Sequence, residues 1–157
     1  MLQANFTTTI VRHDAWLERI GPADAEIPGG YAEDYEWILR AARVAPLAVV
    51  ADPLVDYDWN GQSYFAGRWA MIAEALDYLL ERTPEFATDR HGEARVRGQR
   101  AFALAAAGER TAARHELAVT LRRNPFEPRA YLAGLVCAHL TTPERILAML
   151  NRRGRGI

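Results

Sequence analysis

The helical spacing of apolar residues in the second half of the chain limits the possible folds more than any other feature. From Arg68 onward, apolar side chains recur every three or four residues, beginning with Trp69, Ile72, Leu76, Leu79 and Leu80. Further helices are expected at about 93–107, 111–123, 129–139 and 143–151. Because the links between them are very short, neighbouring helices should pack antiparallel in a bundle.

Composition and charge exclude several classes of protein. Half of the 157 residues are hydrophobic and a quarter are charged, which is typical of a globular domain with a real core. Nineteen basic and twenty acidic side chains give a net charge of -1, so we expect no nucleic acid partner. A single cysteine, Cys137, excludes an internal disulfide and a cysteine-based zinc cluster. No membrane-spanning run or signal peptide is evident, so we expect a soluble, cytoplasmic protein.

The first half of the chain alternates short β-type runs with two helices. Three runs favour strands, namely 6–11, 47–50 and 54–59. The helices are expected at 14–20 and 32–43. The sequence therefore predicts an α+β, mostly helical fold class with two or three short strands. We place one domain at 1–65 and a C-terminal helical bundle at 66–157.

A repeat-like signal lies inside the predicted bundle. Small, apolar, turn and stop residues match one tetratricopeptide-like helix pair, at Ala101, Leu104, Gly108, Ala113, Leu117 and Pro125. Arg97 stands near the place of the large aromatic residue that opens such a unit. Only one copy is convincing, and repeats normally occur three or more together, so a generic helical hairpin is the alternative.

Two adjacent carboxylates, Glu33 and Asp34, begin the second predicted helix directly after a loop that contains Gly29 and Gly30. The helix dipole and the free backbone N–H groups stabilise an ionised carboxylate there. Such a carboxylate can accept a proton from an incoming hydroxyl, which makes it a candidate general base. Acidic residues are also favoured at helix starts for purely structural reasons, so helix capping is the alternative.

Several segments, in this order, resemble the acceptor-side half of family 2 glycosyltransferases. They run from His13-Asp14-Ala15 to Asp24, from Gly29-Gly30 to Arg43, from Val49 to Tyr57, and from Trp59 to Ser63. The resemblance covers about residues 6–65. It implies the C-terminal half of the nucleotide-sugar glycosyltransferase (A-type) fold, with the helical bundle appended to it.

By position, the resemblance also implies a reaction and its residues. Asp34 would be the general base that deprotonates the acceptor hydroxyl as it attacks a nucleotide sugar with inversion, and Glu33 would orient the acceptor or Asp34. The implied acceptor-binding residues are Gly29, Gly30, Tyr31, Trp37 and Trp59. A divalent metal, Mn²⁺ or Mg²⁺, would hold the diphosphate leaving group. Asn60 stands where many family members have a histidine that helps to bind this metal.

The nucleotide-binding half that the family places before the Glu-Asp helix is missing from this sequence. Only about thirty residues precede Glu33, too few for several βαβ units. Asp56-Tyr57-Asp58 has an Asp-x-Asp pattern but lies after the carboxylate pair. We therefore expect a truncated or partial inverting glycosyltransferase, inactive without a donor-binding half. Its partners would be a nucleotide sugar, a hydroxyl acceptor, and a second copy in a homodimer or a separate donor-binding chain. The alternative is a non-catalytic helical-repeat interaction module.

The remaining candidates have simpler structural explanations. His91, His115 and His139 fall on or near different helices, so we expect surface or packing histidines rather than metal ligands. The four tryptophans offer sugar-stacking platforms, but aromatic residues at helical spacing are usually core residues. The basic tail at 152–156 is expected to fray, with at most a weak contact with a membrane surface.

Overall fold

The computed structural model describes residues 6–56 and 63–152. These ranges hold seven α-helices, three short 3₁₀ turns and no strand. The 3₁₀ turns lie at Phe6–Thr8, Pro28–Gly30 and Pro84–Ala87. The helices are α1 (His13–Ala15, continued by a π-helical turn at Trp16–Ile20), α2 (Glu33–Val44), α3 (Trp69–Arg82), α4 (Arg90–Ala107), α5 (Arg110–Arg123), α6 (Pro128–Cys137) and α7 (Pro143–Asn151). No helix within these ranges combines the length and apolar character needed to cross a membrane.

The predicted α+β fold class, with its A-type glycosyltransferase sheet, is wrong for the residues that the structure describes. The run 6–11 forms a 3₁₀ turn followed by irregular chain, and 47–50 and 54–56 are exposed and make no strand. The rest of the third predicted strand, 57–59, lies outside the described residues. The reason is that β-branched residues favour a strand only where a neighbouring strand takes up the backbone hydrogen bonds.

The predicted helices are confirmed to within a few residues at each end. Asp89 caps α4, because its carboxylate accepts hydrogen bonds from the backbone N–H groups of His91 and Gly92. Gly108 ends the same helix in the left-handed conformation that glycine favours. Pro128 and Pro143 begin α6 and α7, where the missing N–H donor costs nothing. Local sequence signals thus set the helix boundaries.

Helix α4 lies at the centre of the bundle and packs against α3, α5 and α6. Its Phe102 side chain is buried, and the Trp69 ring of α3 meets that ring edge-on with 5.7 Å between centroids. Close approach of α6 depends on Gly98, because a Cβ atom there would lie 3.0 Å from the Glu127 Cγ atom and 3.1 Å from the Arg129 Cβ atom. The bundle is therefore built around one almost fully enclosed helix.

Helix α2 is held to the preceding chain by side-chain hydrogen bonds to backbone carbonyls. The buried Trp37 indole N–H donates to the Gly21 carbonyl at 2.8 Å. The Arg40 guanidinium donates to the carbonyls of Ile20 at 2.7 Å and Pro22 at 2.8 Å. These three hydrogen bonds satisfy backbone carbonyls at and just after the end of the π-helical turn, because the helix does not continue there and supplies no further N–H donors.

A buried ion-pair network joins α3, α4 and α5. Glu116 of α5 is 2% exposed, and its two carboxylate oxygens accept hydrogen bonds from Arg97 at 2.8 Å and Arg100 at 2.7 Å. Arg100 also lies 3.0 Å from the Asp77 carboxylate of α3. Because a buried carboxylate without partners is very costly, this arrangement fixes how the three helices meet.

Arg97 extends the same network along α4. Its Nε atom donates to Glu93, which is also buried, at 2.7 Å. The Arg123 Nε atom lies 2.8 Å from the other Glu93 oxygen, a close ionic contact without hydrogen-bond alignment. Arg97 stands where a tetratricopeptide-like unit would have an aromatic side chain. It therefore bridges two buried carboxylates, those of Glu93 and Glu116.

We expect the Glu116→Ala substitution to lower the free energy of unfolding by about 3–5 kcal/mol, because it breaks a buried charge pair and leaves Arg97 with Glu93 alone and Arg100 with Asp77 alone. Chemical denaturation monitored by circular dichroism measures this change. The matched control is Glu85→Ala, which breaks the exposed pair between Arg43 and Glu85 and should cost less than about 1 kcal/mol. Equal losses in the two variants would contradict the importance of the network.

A second prediction concerns Tyr78, whose hydroxyl donates to the Asp24 carboxylate at 2.7 Å. This hydrogen bond, with burial and the charge of Asp24, raises the pKa of Tyr78 from 10.0 to about 12. The neutral phenol is favoured by the fold, so its stabilising contribution is complete below pH 10 and is lost as the pH rises towards 12. Ultraviolet titration should show a high-pKa tyrosine that disappears in Tyr78→Phe and titrates earlier in Asp24→Asn.

Candidate functional site

The loop before α2 depends on two glycines with positive φ angles. Gly29 has φ +60°, and a Cβ atom there would lie 2.4 Å from the Met71 Sδ atom of α3. Gly30 has φ +70°, and a Cβ atom there would lie 3.3 Å from a Glu33 carboxylate oxygen. The positive φ thus favours glycine at Gly29, and any larger residue would also displace the Met71 side chain.

Ala32, the residue that caps α2, lies in the left-handed region although it is not glycine. Its φ is 65° and its ψ is 22°, and its side chain offers no capping hydrogen bond. This conformation costs a non-glycine residue about 1–2 kcal/mol. Backbone strain of this kind concentrates at functional sites, and here it directly precedes the two adjacent carboxylates.

Glu33 and Asp34 lie half-buried in the first turn of α2. One Asp34 oxygen accepts a hydrogen bond from the Tyr35 backbone N–H at 2.8 Å. Among the described residues, neither carboxylate forms an ion pair, whereas Glu36 in the same turn binds Arg40 at 2.6 Å. Glu36 therefore serves the fold, while Glu33 and Asp34 are left available to a ligand.

Tyr31 lies in the loop two residues before the carboxylates. Its ring meets Phe65 edge-on, with 5.1 Å between the centroids. The pKa of the Tyr31 hydroxyl is raised, chiefly by burial; the charge of Arg129 opposes this shift and the charge of Asp34 adds to it. Tyr31 therefore packs the loop against the apolar core that contains Ile72 and Leu76 of α3.

The structure brings together five of the predicted site residues but not the others. Gly29, Gly30, Tyr31, Glu33 and Asp34 belong to one continuous loop and helix start. Trp37 lies one turn further along α2, where it is 4% exposed and packs edge-on against Phe6. Trp37 is therefore a core residue rather than a free stacking platform. Trp59 and Asn60 lie outside the described residues.

A largely apolar depression of about 290 Å³ lies beside α2 at Trp37, about one helical turn beyond the two carboxylates. It is lined by Phe6, Thr9, Val11, Trp16, Ala23 and Trp37. Neither Glu33 nor Asp34 borders it, so it does not supply a binding cleft for the two carboxylates.

The described part of the chain offers no complete site for a divalent metal. Within it, no three histidine, cysteine, aspartate or glutamate side chains converge. His91 and His115 are exposed on α4 and α5, and Asp56 is exposed after α2. The metal that the resemblance implies would therefore need ligands from elsewhere, and we assign no step to it.

The loop geometry predicts opposite effects for two small substitutions. Gly29→Ala should lower the free energy of unfolding by about 1–2 kcal/mol, because alanine at positive φ is strained and its methyl group meets Met71. Ala32→Gly is the matched control, since it relieves the same kind of strain and should leave stability unchanged or raise it by up to about 1 kcal/mol. Thermal unfolding measures both, and destabilisation by Ala32→Gly would contradict the described loop.

Comparison with known proteins gives no family for this chain. No family model matches it, and neither the curated proteins nor the solved structures that were compared with it gave a match.

Proposed function

We propose that this chain is the acceptor-side part of an inverting glycosyltransferase, with Asp34 as the general base and Glu33 as an orienting residue. The observation that carries this proposal is that the two carboxylates at the start of α2, directly after the strained Ala32, form no ion pair with any described residue. The proposal does not include an A-type sheet, because the described residues form none.

The chemistry follows from the position of Asp34. One of its oxygens is held by the Tyr35 N–H, which leaves the other to accept a proton. As the acceptor hydroxyl loses its proton to Asp34, the acceptor oxygen bonds to the anomeric carbon of the nucleotide sugar. The bond from that carbon to the diphosphate breaks on the opposite face, and the electron pair leaves with the diphosphate. The α2 dipole favours the ionised form of Asp34 before the proton arrives.

The donor-binding groups of this reaction would come from outside the described residues. Support comes from the segment 45–56, all of which is exposed, including Leu47, Val50 and Leu54. An apolar stretch of this length normally lies against another domain or chain. We therefore propose that a donor-binding unit covers it and supplies the nucleotide-sugar and metal contacts. A cytoplasmic location belongs to the same proposal, which the free thiol of Cys137 supports.

The experiment measures transfer of labelled sugar from a panel of nucleotide sugars with Mn²⁺, using the chain together with the proteins that copurify with it. We expect Asp34→Asn to lower the rate by about 10²–10⁴-fold, because the amide cannot take up the proton. Asp14→Asn is the matched control, since among the described residues Asp14 forms an ion pair with exposed Arg12 alone and its replacement should leave the rate unchanged. An Asp34→Asn variant as active as the wild type would eliminate Asp34 as the base.

A non-catalytic helical-repeat interaction module is the second candidate function. It is favoured by the packing of α4, α5 and α6, in which Ala101, Ala113 and Ala133 are completely buried where the helices meet. Small residues at helix contacts are typical of stacked helical repeats. Calorimetry separates the two candidates. Saturable nucleotide-sugar binding with Mn²⁺ supports the enzyme, and no binding at millimolar concentration favours the module.

A further inference from the structure

The near-zero net charge of the chain conceals a strong separation of charge along it. Residues 1–89 carry six basic and fifteen acidic side chains, whereas residues 90–157 carry thirteen basic and five acidic ones. The two parts thus differ in formal charge by seventeen, with the change of sign at the start of α4. Charge separation on this scale steers association with a molecule of complementary charge.

The outer face of α5 is purely basic. Arg110, Arg114 and Arg122 are exposed, and none of them pairs with a carboxylate among the described residues. The only acidic residue of α5 is Glu116, which is buried and already bound by two arginines. His115 is exposed on the same face. The exposed Glu109 caps the start of α5 beside Arg110 but forms no ion pair with the basic α5 face among the described residues, so the three arginines have no carboxylate partner there.

The outer face of α3 carries the opposite charge. Glu74, Asp77 and Glu81 follow one another at helical spacing and lie on one side of the helix. Glu74 and Glu81 are exposed and form no ion pair within the described ranges, while Asp77 is shared with Arg100. This acidic α3 stripe and the basic α5 face lie on helices of equal length, each of 14 residues.

We propose that the basic α5 face of one molecule binds the acidic α3 stripe of a second copy of the same chain. Both helices pack against α4 in one molecule, where the arginines of the α5 face and the glutamates of the α3 stripe do not pair with each other. The charges are therefore left for another molecule. This inference uses neither Glu33 nor Asp34 and goes beyond the proposed reaction.

A second copy fits the basic α5 face better than a nucleic acid does. Bases bound by proteins commonly stack on aromatic side chains, and apart from His115 the exposed residues of α5 are arginine, threonine and alanine. The α3 stripe supplies carboxylates on a rigid helix of matching length, which suits guanidinium groups. Because two different surfaces meet, the contact is heterologous and leads to rings or open chains rather than to a closed two-fold dimer.

Sedimentation velocity of the wild-type protein tests the proposal. Charges interact over about 30 Å at an ionic strength of about 0.01 M and over about 3 Å at about 1 M. We expect the average mass to rise to about twice that of the monomer or more at low salt and high protein concentration, and to return to the monomer at high salt. A monomer under both conditions, or an assembly that salt does not dissolve, overturns the proposal.

Charge reversal identifies the two surfaces. The triple variant Arg110→Glu, Arg114→Glu and Arg122→Glu should remain monomeric at low salt, and so should the double variant Glu74→Arg and Glu81→Arg. Mixed together, the two variants should associate again, because each offers the charge that the other has lost. Failure of the mixture to associate overturns the proposal.

Two controls separate this result from misfolding and from nonspecific charge effects. Reversal of Arg12, Arg145 and Arg152, which are exposed elsewhere, changes the net charge equally and should leave association intact. Replacing the three α5 arginines by glutamine should also abolish association, with a circular dichroism spectrum like that of the wild type. A wild-type protein that stays monomeric but binds duplex DNA or RNA through the same arginines would assign the face to nucleic acid and overturn the proposal.

Discussion

The buried carboxylate of Glu116 is the interaction on which the helical bundle depends. Arg97 and Arg100 reach it from the central helix, and Arg100 also reaches α3 through Asp77. All nineteen basic residues of the chain are arginine. A planar guanidinium can bind two carboxylates at once, which a lysine ammonium does with less directional control. The network therefore sets the mutual orientation of α3, α4 and α5 in a way that apolar packing alone would leave less specific.

The same bundle holds the strained loop in place. Met71 of α3 packs against Gly29, and the Tyr31 ring meets the Phe65 ring edge-on. These contacts come from elements far away in sequence, so the left-handed conformation of Ala32 persists only because the folded bundle determines it. The carboxylates at the start of α2 and the helices after residue 68 are consequently parts of one structure.

Sequence reasoning predicted local features of this structure better than those that depend on distant contacts. The helices follow from apolar spacing, capping residues and prolines. The sequence also predicts the glycine-containing loop that is followed by a helix beginning with two carboxylates. It does not predict the burial of Trp37 or the strain at Ala32, because both result from packing against the rest of the chain. In the sequence, Arg97 is only a departure from a repeat pattern. Its role depends on Glu93 and Glu116, which lie on two helices and meet it only in the folded bundle.

The three predicted strands show why composition alone does not make a strand. Val49 and Val50 are β-branched and apolar, yet they are exposed, and the described chain places no strand beside them. An extended backbone is stabilised as a strand only when a neighbouring strand accepts and donates its hydrogen bonds. The residues of this segment therefore favour extended structure, but the described chain forms no strand from them because no partner strand lies beside them.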